Sequence, residues 1–316
     1  MTTENRQKNP PLNPFTNHSL PLGLRLYLAG TRAMFKLLGG IAPGVAGKLA
    51  LRFFMTPPHF PTPRREQALR DAAQTRFQDI SGRRIAIRSW GHGPVVLLSH
   101  GWGGRGSQFF SFIQPLVDSG FRVVAFDAPA HGDSSGKRTN MLDVSGVVAA
   151  VAEQEGPIYA LIGHSFGCGT SLLAIDRLGV APEKLVLIAC FADILWTVRQ
   201  FGAAYALNEA SLAAMRDEGE KRYGNAYGQP WRWPELSPDN TIKSVTGDIL
   251  LIHDHDDHEV PWSHAEQLKQ IAPRAELFGT KRLGHRKILM SKKAVAECVR
   301  FLNEHSSRLG QHHQRI

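Results

Sequence analysis

Five short apolar runs set the architecture of this chain: PVVLLS (94–99), FRVVAF (121–126), PIYALI (157–162), KLVLIA (184–189) and DILLIH (248–253). None is long enough for a helix, and each is apolar on consecutive positions rather than alternate ones. A strand that is greasy on both sides belongs inside a sheet covered on both faces. Helix-like segments separate the runs: SQFFSFIQPLVDSG (107–120), about Met141 to Gln154, and the stretch through Leu178. This alternation predicts an α/β fold with a mostly parallel central sheet and helices on both faces. RFQDISGRRIAIRSWG (76–91) reads as a leading hairpin turning at Ser81-Gly82, AELFGT (275–280) as a last strand, and about Lys292 to Glu304 as a final helix. Between Phe191 and Lys243 the strand pattern lapses into about fifty mostly helical residues. They form an inserted lid, rich in Phe191, Trp196, Phe201, Tyr205, Tyr223, Tyr227, Trp231 and Trp233. Such aromatics either pack the lid itself or line an apolar acyl pocket.

The net charge of +9 is concentrated at one end. Residues 1–65 carry nine Lys/Arg and one Glu, with no acidic residue between Glu4 and Glu66. The body of the chain is therefore close to neutral and shows no basic motif of a nucleic-acid binder. Residues 1–18 are polar. Leu20–Leu38 and Val45–Met55 read as two amphipathic helices separated by Gly39-Gly40 and Pro43-Gly44, with Arg25, Arg32 and Lys36 on one stripe of the first. This hairpin (residues 20–55) either packs on the main domain or a twin subunit, or lies on an anionic membrane surface. Pro57, Pro58, Pro61 and Pro63 make a stiff linker. The domain reading is a basic helical extension at 1–65, a main domain at 66–305 holding the lid, and a polar tail at 306–316. Cys168, Cys190 and Cys298 have no CxxC spacing, which suits a reducing compartment. No cleavable leader and no spanning segment is read, so a cytoplasmic location, peripheral to the inner membrane face if the hairpin binds lipid, is the expectation.

In sheets of this kind the chemistry gathers where strands end. Gly163-His164-Ser165-Phe166-Gly167 follows PIYALI and opens a helix. The G-x-S-x-G spacing allows a turn tight enough to strain the serine and expose its hydroxyl. His100-Gly101-Trp102-Gly103-Gly104 follows PVVLLS, and Trp102 N–H with Phe166 N–H can meet a developing oxyanion. A serine needs a base. Of fourteen histidines, His285 stands late in the chain, after the last strand and before a helix. His100, His131 and His164 lie inside loop motifs and read as structural or pocket-lining, and His312 and His313 lie in the tail.

The densest polar stretch is His253-Asp254-His255-Asp256-Asp257-His258-Glu259-Val260. A metal reading would use His253, His255 and Asp257, which share a side in extended chain. No HExxH and no cysteine pair accompanies them, so neither a metal nor a cofactor is expected. An acid partner for His285 is the other reading, and Asp254, Asp256 and Asp257 compete for it.

With HGWGG (100–104), DAPAHGDS (127–134), GHSFG (163–167), HDHDDHEVP (253–261) and LGH (283–285) in this order, residues 75–305 resemble the α/β-hydrolase superfamily. The likeness extends to bacterial serine hydrolases and esterases with a basic amphipathic N-terminal extension. The resemblance implies Ser165 as nucleophile, His285 as base, Trp102 and Phe166 as oxyanion donors, and Asp257 as the acid, from the pattern H-G-x-x-D-x-x-V-P. Two positions depart from it: Asp254 stands for the glycine of that pattern, and Ala130 for the glycine of D-x-P-G-x-G. The implied function is a carboxylesterase on small to medium apolar acyl esters, working through an acyl-enzyme. A thioesterase, lipase or C–C bond hydrolase would use the same residues, and a non-catalytic membrane- or partner-binding scaffold is the rival of another class.

Overall fold

Ser81 and Gly82 take φ of 54° and 73°. Positive φ at both central residues is what a two-residue hairpin turn needs to follow the twist of its strands. The turn joins β1 (Gln74–Ile80) to β2 (Arg83–Trp90), which pair antiparallel. The remaining strands are β3 (Val95–Ser99), β4 (Arg122–Phe126), β5 (Ile158–His164), β6 (Lys184–Ile188), β7 (Asp248–Asp254) and β8 (Glu276–Thr280). They complete one eight-stranded sheet in the order β1-β2-β4-β3-β5-β6-β7-β8. From β4 to β8 every neighbouring pair is parallel, and β2 runs against both of its neighbours. The computed structural model describes residues 22–225 and 231–304, so residues 1–18, Tyr227 and the 306–316 tail with His312 and His313 lie outside the described residues.

The two faces of the sheet carry separate cores. Leu97, Leu161, Leu187 and Leu251 point to one side, against α5 (Met141–Glu155), α6 (Phe166–Leu178) and α10 (Ser263–Ile271). Their neighbours Leu98, Ile162, Val186 and Ile252 point to the other, against α4 (Phe110–Asp118) and α12 (Lys292–Asn303). Successive side chains of a strand face opposite ways, so continuous apolar runs feed both layers. The short helices α9 (Pro238–Thr241) and α11 (Gly284–Lys287) complete this body. Cys168, Cys190 and Cys298 are buried free thiols. Where the sequence suggests only a stiff linker, a helix α3 (Arg64–Asp71) begins directly after Pro63. It is fixed by Glu66, whose buried carboxylate accepts Arg105 Nε at 2.8 Å and Ser107 Oγ at 2.7 Å.

The chain divides into two compact units. Of the described residues, the sheet body takes 55–193 and 234–304, and the second unit takes 22–54, 194–225 and 231–233. The second unit contains α1 (Leu22–Ile41), α2 (Pro43–Phe54), α7 (Ile194–Tyr205) and α8 (Glu209–Tyr223). Its buried positions on α2, Ala46, Gly47, Ala50 and Leu51, recur at helical spacing and lie along α8. A Cβ on Gly47 would come within 2.6 Å of the backbone N of Met215, so only glycine lets these helices approach so closely. Gly39 corrects the sequence reading in the same way. The Gly39-Gly40 pair does not end the first helix, which runs on to Ile41. Gly39 instead meets the start of α8: a Cβ there would stand 2.9 Å from Ser211 Oγ, and Asn208 Nδ2 donates to its carbonyl at 2.9 Å. Asn208 also accepts Ser211 N–H, capping α8. Arg32 does not belong to an outward cationic stripe. Its guanidinium donates to the carbonyls of Ala203 and Ala204, at the end of α7 where the helix leaves acceptors unpaired.

Of the aromatics expected in the lid, some pack with those of the hairpin and others with each other. Phe54 meets Phe201 edge-on at 5.1 Å, Phe35 meets Tyr205 at 5.9 Å, and Trp231 meets Trp233 at 5.7 Å. Gly47→Ala is expected to lower the stability of this unit by about 1–3 kcal/mol through overpacking. A lower thermal midpoint than wild type checks it, and an unchanged one would mean that α2 and α8 separate without loss.

Candidate active site

Ser165 sits between β5 and α6 with φ 53° and ψ −116°. For a side chain larger than glycine's this is a strained backbone, held only because its surroundings over-determine it. The constraint is visible at Gly167, where a Cβ would lie 2.0 Å from the carbonyl O of Ser99. The first turn of α6 is thus pressed against the end of β3. Ser165 N–H is held by the Ile188 carbonyl at 2.9 Å, tying the turn to the end of β6 as well.

His285 lies on α11, buried, with Nε2 2.8 Å from Ser165 Oγ and Nδ1 2.8 Å from Asp257 Oδ2. Because a carboxylate can only accept, Nδ1 carries the proton and donates to Asp257, which leaves Nε2 free to accept from the serine hydroxyl. Three side chains from three strand ends are therefore in one hydrogen-bonded line. Asp257 is oriented from the other side by the N–H groups of Glu259 (2.8 Å) and Val260 (2.9 Å), both on Oδ1. Burial pushes its carboxyl up, but bonds from His253, His285 and Val260 outweigh this and hold it below the usual carboxylate range.

The loop 100–104 lies against the serine: a Cβ on Gly101 would touch Ser165 Cβ at 3.4 Å. The Trp102 and Phe166 rings meet edge-on at 5.0 Å, half-buried beside Ser165. Phe166 is the first residue of α6, so its N–H has no acceptor one turn back in the helix. His131 shapes the loop. Its Nε2 accepts Gly103 N–H at 3.0 Å while Nδ1 donates to the Pro129 carbonyl at 2.9 Å. Burial depresses its pKa to about 3, so it stays neutral and keeps that acceptor. His100 is likewise buried with a lowered pKa, and its Nε2 accepts Ala128 N–H at 2.9 Å. His164 donates from Nε2 to the backbone carbonyl of His285 at 2.9 Å and is pushed down to about 3 by burial. The sequence reads all three as structural or pocket-lining; His164 also steadies the very residue that faces the serine. Only the spacing H-S, adjacent to Ser165, hinted at that.

Asp254, which replaces a glycine of the family pattern, has the most partners in the region. Its side chain is buried at the end of β7. Oδ2 accepts Thr280 Oγ1 at 2.6 Å and Leu283 N–H at 3.2 Å; Oδ1 accepts the N–H groups of Asp256 and Gly284 at 3.0 Å each. Asp256 adds a bond from Arg282 N–H at 2.7 Å. Burial raises the Asp254 carboxyl, and the Thr280 hydroxyl and these backbone donors together bring it below the usual range. The two acids rival to Asp257 thus hold the segment 280–284 that delivers His285. The other members of HDHDDHEV diverge. His253 Nε2 donates to the Val260 carbonyl at 2.8 Å, and the His255 ring stacks on Trp262 at 3.8 Å. His255 thus turns away from His253 and Asp257, which stay 3.5 Å apart, and the three do not converge on one point, because the strand ends at Asp254 and the alternation stops with it. The other departure, Ala130, takes φ 63°, the left-handed conformation in which glycine is unstrained.

Asp254→Ala strands three backbone donors, and a stability loss of about 2–4 kcal/mol is expected. Turnover should fall roughly 10²-fold through misplacement of His285. The pH dependence has a definite sign. Asp254 and Asp257 both have folded-state values below those of the unfolded chain. Each therefore contributes stability that is complete above the unfolded carboxylate value of about 3.9 and is lost as the pH falls through the folded value. Urea midpoints measured from pH 6 downwards should drop for wild type and drop less steeply for Asp254→Ala; parallel curves would contradict the assignment.

Comparison with known proteins identifies the family of the chain. A model of the alpha/beta hydrolase family matches residues 95–300. The chain is similar to the dihydrolipoyllysine-residue acetyltransferase component of the acetoin cleaving system of Cupriavidus necator, 31% identical over 164 residues, 50% of this chain and 42% of that protein. It is also similar to the lysophosphatidylserine lipase of Gallus gallus, 27% identical over 207 residues, 58% of this chain and 49% of the other. The chain spans about half the length of these curated relatives. Among solved structures, an esterase from Exiguobacterium antarcticum superimposes with a TM-score of 0.55 at 17% identity, over 72% of this chain and 98% of that one, a likeness of fold. The family match covers about two thirds of the chain and includes the serine, the aspartate and the histidine just described, and this protein belongs to the alpha/beta hydrolase family.

Proposed function

We propose that the protein is a serine hydrolase, specifically a carboxylesterase on small to medium apolar acyl esters. The observation that carries the reading is the line Asp257–His285–Ser165, with 2.8 Å at each step, ending on a strained and partly exposed hydroxyl. Ser165 Oγ attacks the ester carbonyl carbon as His285 Nε2 takes its proton. Asp257, kept ionised, stabilises the imidazolium that results. The carbonyl oxygen becomes an oxyanion, met by the N–H groups of Trp102 and Phe166. The intermediate collapses, the C–O bond to the alcohol breaks, and His285 returns the proton to the departing oxygen. Water then attacks the acyl-enzyme with His285 again as base, releasing the acid and restoring Ser165.

An apolar acyl group is supported by the half-buried Trp102 and Phe166 rings, which meet edge-on at 5.0 Å on the loop and helix that flank Ser165. An ester substrate is supported by the similarity to a lysophosphatidylserine lipase. No step in the sequence requires a metal or an organic cofactor.

Purified protein should hydrolyse p-nitrophenyl acetate or butyrate and react with a fluorophosphonate probe. Ser165→Ala should lose both while keeping the wild-type circular dichroism spectrum, with turnover down by roughly 10⁴-fold or more. Asp257→Asn should lower kcat by roughly 10⁴-fold by favouring the wrong imidazole tautomer. Undiminished turnover in Ser165→Ala would overturn the assignment. A series of acyl lengths from acetate to palmitate distinguishes a short-chain esterase, with activity falling beyond the medium chains, from a lipase.

A further inference from the structure

The helix α1 has two apolar faces, and among the described residues only one of them is covered. Leu28, Thr31, Phe35 and Gly39 form the buried face. On the opposite side Leu22, Leu26, Leu37 and Ile41 are 64–76% exposed, and Met34 and, at the start of α2, Val45 are exposed beside them. Leu22, Leu26, Ala29, Ala33 and Leu37 succeed one another at spacings of three and four, which makes a continuous stripe along the helix axis rather than scattered exposure. An outward helix face in water is ordinarily polar.

The charges of α1 and α2 are of one sign; the acids of this unit, Glu209, Asp217, Glu218 and Glu220, are on α8. At 100° per residue, Arg25 and Lys36 fall together on one flank of it, both exposed. Lys48 is exposed on α2. No acidic residue occurs in α1, α2 or α7. A second copy of this face would bring cations against cations with no carboxylate from these helices to pair them. A surface of anionic lipid head groups pairs them, and it accepts the leucines into the acyl region below. The long stems of Arg25 and Lys36 can lie along the apolar face while their charged ends reach the head groups. The helix would lie in the interface, since no helix among the described residues is long and apolar enough to cross a membrane.

We infer that the outer face of α1, with its flank of Arg25 and Lys36, docks this protein onto an anionic membrane surface. This is independent of the esterase reading and its test does not depend on activity. Full-length protein is floated on a density gradient with vesicles of phosphatidylcholine alone and of phosphatidylcholine containing phosphatidylglycerol. The wild type should rise with the anionic vesicles, about tenfold or more above the neutral ones, and lose most of that advantage in 0.5 M NaCl. Arg25→Glu with Lys36→Glu should abolish the preference for anionic lipid. Leu26→Gln with Leu37→Gln, which keeps good helix formers at exposed positions, should reduce binding to both vesicles. Circular dichroism and thermal midpoints of each variant exclude unfolding as the cause. Wild type that stays at the bottom with both vesicles overturns the inference. So does Leu26→Gln with Leu37→Gln floating like wild type, or turning a dimer into a monomer in sedimentation while flotation is unchanged.

Discussion

The close packing of α6 against the end of β3 is the constraint on which the site depends. A glycine at 167 brings the helix start to the Ser99 carbonyl, and that leaves the chain at Ser165 no relaxed conformation. The strain is local, but what balances it is the whole parallel sheet, because β3, β5 and β6 must end at the same level for the turn to be held. The hydroxyl is then fixed in space before any partner arrives. The neighbouring strand ends have only to deliver a histidine and a carboxylate to a point already defined.

That delivery is made by carboxylates at two levels. Asp257 touches His285 directly, whereas Asp254 holds the loop on which His285 stands. The division explains why three aspartates crowd one loop without sharing a task. A carboxylate at the ring must keep one oxygen for the imidazole; a carboxylate that gathers backbone donors has none to spare. With glycine at 254, the segment 280–284 would need other anchors. Here the loop geometry is set by charge-assisted hydrogen bonds rather than by a bare turn.

The sheet was legible because continuous apolar strands have few alternatives, and the elbow because its glycines and serine are adjacent in sequence. The placement of Ser165, His285 and Asp257 in one line follows the order of motifs at strand ends. Three features were not legible, and for one physical reason. Asp254 is bonded to residues up to thirty positions away, Arg32 to carbonyls 171 and 172 positions away, and Gly39 to Asn208. Local pattern suggests a loop glycine replaced without purpose, an outward cation and a helix break. Each suggestion is reasonable for the isolated segment and is reversed by a partner that only the fold supplies. The buried histidines were legible in kind but not in effect, since a ring nitrogen's partner cannot be read from spacing.

The four helices of the second unit come from two stretches of chain separated by about 140 residues, between Phe54 and Ile194. This has a consequence for biosynthesis. Gly47, Ala50 and Leu51 leave the ribosome long before Ala214 and Met215, against which they close. At roughly 5–20 residues per second the wait is on the order of ten to thirty seconds. During that interval both faces of the first hairpin are open, and the sheet must be threaded out between its two halves before they can meet. The first hairpin is therefore the part of its unit that waits longest for its partner, and that wait, in which aggregation or capture by a holding chaperone competes with α7 and α8, falls within synthesis itself.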